Sequence, residues 1–334
     1  MPGYIDTDRF AASLRARSLD LATKRVLVTR FTNSKQAGDL TVPPNCSGFG
    51  RVHHFVRDQG HDWPSNPLPI DPATRALGLP AGDLLRVQVF QIAACSWRCW
   101  YCFVDNDLLS ANHRHSEFRT SQDLLRLYML EEPRCGVIDL SGGQPDIVPE
   151  WVAWFCEATD QAGIGGEVYI WSDDNLSNDY LWKYQPRESI IRLASRANYG
   201  RVGCFKGFDS SSFAFNTGAH PSLYERQFAL ARRLVATGFD VYGYVTFTSA
   251  DSRDIPKRMA AFVDRLQREV HPLFPLRTIP LRVKCFTPTR SRLSDARERA
   301  FAVQVDAAKA WQEEVDRRFS SEVRARKVFE HRLR

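Results

Sequence analysis

The chain has 334 residues, with 45 Lys and Arg against 39 Asp and Glu, a formal charge of +6, 43% hydrophobic and 12% aromatic residues. This composition excludes a disordered or fibrous chain, and the small basic surplus permits nucleic acid without indicating it. The first ten residues hold no apolar signal segment, and no apolar run reaches the roughly 18 residues of a membrane span, so the sequence predicts a cytoplasmic protein with no membrane partner.

Residues 1–82 read as an irregular N-terminal extension. A short amphipathic helix fits residues 8–22. Pro and Gly then break both periodicities in the tracts 41–50 and 63–72, which predicts coil wrapped on a neighbour. From residue 84 onward strands and helices alternate. Strands are expected over 85–92, 136–140, 167–171, 201–206, 239–248 and 279–286. Helices are expected over 121–131, 149–162, 188–197, 221–237, 254–270 and 294–319. Six strand–helix units with short connections predict an α/β fold whose parallel sheet is wound by right-handed crossovers. A complete barrel needs eight units. The sheet is therefore either doubly wound or an incomplete open barrel, with functional loops at the C-terminal strand ends. The domain reading is an extension over 1–82, a core over 83–320 and a basic tail over 321–334.

Just past the first of these strands stand Cys95, Cys99 and Cys102, spaced C-x3-C-x2-C, three of the eight cysteines. In a thiol-reducing compartment they do not read as a disulfide framework. Thiolates suit iron–sulfur clusters and zinc. A fully thiolate-bound [4Fe–4S] cluster takes four cysteines, so three would leave one iron open to a non-protein ligand. Two other readings stand beside it: ordinary loop cysteines, or a zinc site completed by His113 or His115. The remaining cysteines, Cys46, Cys135, Cys156, Cys204 and Cys285, show no C-x2-C pairing and suggest no second cluster.

With Tyr101 in the aromatic position, the segment resembles the radical S-adenosylmethionine (radical SAM) superfamily, whose hallmark is C-x3-C-x-aromatic-C. The resemblance spans roughly residues 84–290. It implies a partial (β/α)6 TIM-type barrel. It also implies a [4Fe–4S] cluster on Cys95, Cys99 and Cys102, with S-adenosylmethionine on the open iron, cleaved to a 5′-deoxyadenosyl radical that abstracts hydrogen from a substrate. Just after Ser141, Gly142-Gly143-Gln144-Pro145 stands where the family has Gly-Gly-Glu-Pro, whose backbone and acid meet the methionine amino group; here Gln144 replaces Glu and brings no charge. The resemblance assigns Ser172 and Asp173, at the third strand's end, to the ribose or methionine part, with a solvated turn as the other reading. Lys206, at the fourth strand's end, is similar to a carboxylate-binding lysine of the glycyl-radical activase and wyosine-type branches, though Cys204 stands where the activases have Asp. Phe286 is expected at the adenine. Cys204 or Cys285 could give a hydrogen atom inside the barrel, and His53-His54 could serve the substrate. The expected partners are a small metabolite or nucleoside substrate and a flavodoxin- or ferredoxin-type electron donor. RNA modification and activation of a glycyl-radical protein are alternatives, as is a non-catalytic iron–sulfur or zinc protein.

Overall fold

The protein is described by a computed structural model over residues 3–333. The N-terminal segment contains α1 (Thr7–Ser18), β1 (Leu19–Asp20), β2 (Arg25–Thr29), β3 (Gly50–Val56) and α2 (Ile70–Leu77). Then follow β4 (Leu84–Phe90), β5 (Ser116–Thr120), α3 (Ser121–Met129), β6 (Val137–Leu140), α4 (Glu150–Gln161) and β7 (Tyr169–Asp174). The middle continues with α5 (Tyr180–Tyr184), α6 (Arg187–Ala194), β8 (Tyr199–Phe205), α7 (Ser210–Thr217), α8 (Tyr224–Thr237) and β9 (Val241–Thr246). The last elements are α9 (Ile255–Arg265), β10 (Thr278–Leu281), α10 (Thr287–Arg290), α11 (Asp295–Arg318) and α12 (Ser321–Arg324). Local chemistry sets several boundaries. Thr120 caps α3 in a capping box with Asp123, and Gly238 closes α8 in a left-handed conformation.

The result is a mixed α/β molecule with a curled half-barrel sheet of seven strands, in the order β10-β9-β8-β7-β6-β4-β3. The six strands from β4 to β10 in this sheet run parallel, and β3 pairs antiparallel to β4 from Gly50↔Phe90 to Val56↔Leu84. A small second sheet has the order β1-β2-β5. No helix among the described residues is long and apolar enough to cross a membrane.

Two expectations are corrected here. The first 82 residues are not irregular, because β2 and β3 are both paired strands. β3 escaped notice because Arg51 and His53 occupy positions that face the concave side of the sheet with Phe55, which breaks the usual apolar-in pattern. The sixth parallel strand is also shorter than 279–286. Beyond Leu281 the backbone leaves the sheet and its donors find side-chain amides: Arg282 N–H donates to Gln59 Oε1 (3.1 Å) and Val283 N–H to Gln304 Oε1 (2.9 Å).

The outer face of the sheet, including Ile138, Ile170, Phe205 and Val245, packs under the helices in one large apolar core. The concave face carries a second core of Val87, Val89, Val137, Tyr169, Trp171, Val202, Tyr242 and Tyr244, against which Leu68, Ala73 and Val328 pack. Trp63 Nε1 donates to Pro280 O (3.0 Å), which ties the same segment to β10. Gly200 makes room for the stacked Tyr169 and Trp171 rings. A Cβ there would lie 2.2 Å from Tyr169 Oη and 2.8 Å from the Trp171 ring. Both rings are fully buried and cannot yield. Gly200→Ala should therefore destabilise the fold by about 1–3 kcal/mol through overpacking, read as a lower urea midpoint; an unchanged midpoint would show that the rings can shift.

Candidate functional site

β4 runs straight into the cysteine loop, and the loop is bonded along its whole length. Cys95 N–H donates to Leu109 O (3.0 Å), Arg98 N–H to Thr217 O (3.1 Å), Trp100 N–H to Asn216 O (3.2 Å) and Cys102 N–H to Cys99 O (3.1 Å). Two guanidinium groups take up carbonyls of the loop. Arg98 Nη1 donates to Cys95 O (2.6 Å) and Trp97 O (2.8 Å), and Arg292 donates to Cys102 O and Val104 O, both at 2.9 Å. All three cysteines are free thiols, Cys95 and Cys99 buried and Cys102 half-buried. Burial pushes the Cys95 thiol up to about 12 and the Cys99 thiol up to about 11. Arg98 opposes the first shift and Lys206 the second, so the cations of the site favour thiolate.

Among the described residues no three His, Cys, Asp or Glu side chains converge where one metal ion would sit. A single zinc would gather its thiolates to roughly 4 Å from one another. His113 packs instead on Phe118, at 5.8 Å between ring centroids. A cubic cluster asks something different of its cysteines, since each thiolate binds a separate iron. Three free thiols on one hydrogen-bonded loop, with cations beside them, fit that demand.

The turn after β6 is built against the base of this loop. Gly142 and Gly143 have φ of 72° and 74°. A Cβ on Gly143 would stand 2.2 Å from Ile92 O, so only glycine lets the turn approach the chain that leads to Cys95. Gln144 is fully buried and fully used. Its Oε1 accepts from both the N–H and the Oγ of Ser96, each at 2.8 Å. Its Nε2 donates to Asp146 Oδ2 (3.0 Å) and to Ser177 Oγ. A side-chain amide has two lone pairs and two N–H groups, so none is left over for a ligand. The structure thus places Gln144 as a clamp on the cysteine loop, where the resemblance had put a contact to the methionine ammonium.

At the end of β7 the three polar residues point to different sides. Ser172 is buried on the outer face, with its Oγ 2.7 Å from the Tyr199 hydroxyl, and is not brought to the concave side. Asp174 pairs with the buried Arg201 at 3.2 Å. Asp173 lies on the concave side, half-buried, and accepts from Ser141 Oγ (3.0 Å). Burial pushes its carboxyl up to about 6, against the pull of nearby Lys206. The following residue, Asn175, was not singled out by sequence. Its Nδ2 donates toward Cys95 Sγ at 3.7 Å, and its carbonyl accepts from Trp97 Nε1 at 3.3 Å.

Lys206 follows β8. Its N–H donates to Gln227 Oε1 (2.9 Å), and among the described residues its ammonium has no hydrogen-bond or ion-pair partner. Burial lowers the ammonium pKa, but Cys204, Tyr101, Cys99 and Cys95 raise it further, and the net direction is up. Tyr101 reaches across to β9, with its hydroxyl 2.9 Å from Thr246 Oγ1. Phe286 lies beyond the end of β10, half-buried, edge-on to Phe103 at 5.9 Å. Cys204 is buried on the concave face and Cys285 is exposed.

Asn216, at the end of α7, joins these parts and was invisible to sequence reasoning. Its Oδ1 accepts from Trp100 Nε1 (3.1 Å) and Thr248 Oγ1 (2.7 Å), while its Nδ2 donates to Lys206 O (2.8 Å) and Thr248 O (3.0 Å). A single side chain therefore fixes the cysteine loop to the ends of β8 and β9.

No protein-family model matches this chain, and neither does any curated protein. Among solved structures it is similar to Streptococcus suis SuiB bound to S-adenosylmethionine, at 16% identity and a TM-score of 0.39, over 54% of this chain and 37% of that one. A second structure of Streptococcus suis SuiB gives 16% identity and 0.39, over 55% and 37%. The matched part is thus well under half the length of SuiB.

The clamp can be tested directly. Gln144→Leu leaves the Ser96 N–H and hydroxyl without their buried acceptor and should cost about 2–4 kcal/mol. The loosened loop should also expose Cys95 to iodoacetamide, so that alkylation under native conditions is faster than in the wild type. Equal alkylation rates and equal stability would mean that Gln144 does not hold the loop.

Proposed function

We propose that this protein is a radical SAM enzyme built on a partial (β/α)6 TIM-type barrel. The observation that carries the reading is the rigid loop at the end of the first parallel strand, with three free thiols spaced C-x3-C-x2-C beside an unpartnered ammonium. Cys95, Cys99 and Cys102 would hold a [4Fe–4S] cluster. When bound, that cluster would supply the electron that cleaves S-adenosylmethionine to a 5′-deoxyadenosyl radical.

The protein's own groups do the remaining work. Lys206 presents its ammonium to the methionine carboxylate, since a half-buried cation with no internal partner calls for a mobile anion. Gln144 is saturated, so the methionine ammonium falls to Asp173, whose carboxyl lies near Lys206. Gly142 and Gly143 set the distance between the turn and the cysteine loop. Phe286 and Phe103 form an aromatic wall suited to a flat base. Trp97 and Trp100, both 1% exposed, keep water from the thiols. The substrate is read as a small metabolite or nucleoside, because residues of the N-terminal extension pack on the concave face and leave it little room for a macromolecule. The electron would come from a flavodoxin- or ferredoxin-type donor in the cytoplasm.

Anaerobic reconstitution should load about four irons per chain. On reduction, the loaded protein should release 5′-deoxyadenosine from S-adenosylmethionine. Stoichiometric zinc with no iron uptake would overturn the reading. Lys206→Met should keep its iron and bind S-adenosylmethionine about 2 kcal/mol more weakly; wild-type affinity in that variant would assign Lys206 to another partner.

A further inference from the structure

Among the described residues three arginines are buried: Arg51, Arg201 and Arg277. Two of them are paired in the ordinary way. Arg201 donates to Asp174 and to the Tyr199 hydroxyl, and Arg277 donates to Asp240 and His331 O. Arg51 is different. It is only 5% exposed, and its guanidinium makes no hydrogen bond and no ion pair within the described residues; its Nε is wholly enclosed. The buried carboxylates show the same contrast. Asp71 and Glu150 pair with Arg57 and Arg15, Asp174 pairs with Arg201, and Asp146 accepts three hydrogen bonds. Asp139, 1% exposed, accepts no bond at hydrogen-bond distance among the described residues: its Oδ1 is enclosed without a partner, and the nearby Ser141 hydroxyl donates to Asp173 instead.

These two exceptions are neighbours. Arg51 on β3 and Asp139 on β6 flank Val89 of β4 in one register row, on the concave face, roughly 10 Å apart at Cα by the usual strand spacing. They face each other without closing to ion-pair distance. The Arg51 guanidinium lies over Phe103, 5.3 Å from the ring centroid, and Phe103 directly follows Cys102. Next along the same face of β3 is His53, kept neutral because burial, then Arg51 and His54, pull it to about 3. A buried guanidinium offers five donors and a buried carboxylate about four lone-pair sites. Arg201 and Arg277 each leave one buried nitrogen unmet but bond through the others; leaving a whole buried guanidinium and a buried carboxyl without such bonds is costly. The groups therefore answer to something that is not part of the chain.

We infer that Arg51 and Asp139 form the substrate-recognition pair of this barrel. They would take a small molecule that carries an oxyanion, carboxylate or phosphoryl, for Arg51 and an ammonium or N–H donor a few bonds away for Asp139. Arg51 presents a planar fork suited to such an oxyanion. The added strand β3 is then the element that brings substrate charge recognition to the residue beside the third cysteine. This names the substrate class of the site proposed above and rests on that reading.

The test uses the full chain without iron, so failure of iron uptake and failure of this inference remain separate results. Thermal unfolding is followed against β-alanine, propionate, methylammonium and inorganic phosphate, since a ligand of the folded state raises the midpoint with the logarithm of its concentration over Kd, so that the tighter ligand gives the larger shift at equal concentration. β-Alanine should stabilise the wild type more than propionate or methylammonium at equal concentration. Arg51→Met should weaken the response to the anionic probes at least about tenfold. Arg51→Lys, which keeps a buried charge should the methionine variant fail to fold, should weaken it less. Asp139→Asn should remove the advantage of β-alanine over propionate. A larger shift with phosphate would assign the oxyanion as phosphoryl, and a larger shift with the carboxylates as carboxyl. If no probe stabilises the wild type, or if the variants respond as the wild type does, the inference is overturned.

Discussion

The structure depends on holding one loop still. The segment from Cys95 to Cys102 has no secondary structure of its own, yet its backbone is bonded along its length. Two buried amides also hold it. Gln144 grips Ser96 from the β6 side, and Asn216 grips Trp100 from the β8 and β9 side. Each amide spends all four of its hydrogen-bonding positions on protein partners. In a dry interior such bonds are strong, and losing one strands a buried partner. The glycine pair before Gln144 follows from the same demand, because the turn can reach Ser96 only if it runs against the backbone at Ile92.

Much of the architecture was legible in the sequence for a simple reason. The parallel strands are buried on both faces, so β6 and β8 read as nearly unbroken apolar runs between helices with clear caps. What stayed hidden breaks that logic. β3 puts Arg51 and His53 inward, which erases its alternation, and the end of the sixth parallel strand gives its backbone donors to Gln59 and Gln304. At the site, the cysteine spacing was visible because it is local in sequence. The partners of the loop were not, since Asn175 and Asn216 lie 80 and 116 residues from the groups they contact. Ser172 and Asp173 show the limit of a strand-end rule. Both sit at the end of β7, but the pleat sends their side chains to opposite faces, and only register separates them.

Buried charge in this fold falls into two groups on two faces. On the outer face, under the helices, Arg201 donates to Asp174 and to the Tyr199 hydroxyl, and only its second terminal nitrogen is left over. On the concave face, the Arg51 guanidinium, the Asp139 carboxyl and the Lys206 ammonium remain without hydrogen-bond partners among the described residues. The same chain follows the ordinary rule of paired burial on one side of its sheet and departs from it on the other. Departures of this kind reduce stability and persist where a bound molecule completes the set.

The thiols extend this argument to the loop itself. Burial favours the protonated form of Cys95 and Cys99, while Arg98 and Lys206 pull the other way. Binding as thiolates would convert neutral groups into anions close to these cations. The cost of burying the new negative charge would then be offset by charges already in place, the guanidinium groups of Arg98 and Arg292 being held by bonds to the loop's own carbonyls. Arg98 and Arg292 cannot swing away to solvent without releasing the carbonyls of Cys95, Trp97, Cys102 and Val104. The positive charge is thus built into the loop geometry. The bonds that keep the loop rigid are the same bonds that hold its positive charge beside the thiols, and this links the rigidity of the loop to its chemistry.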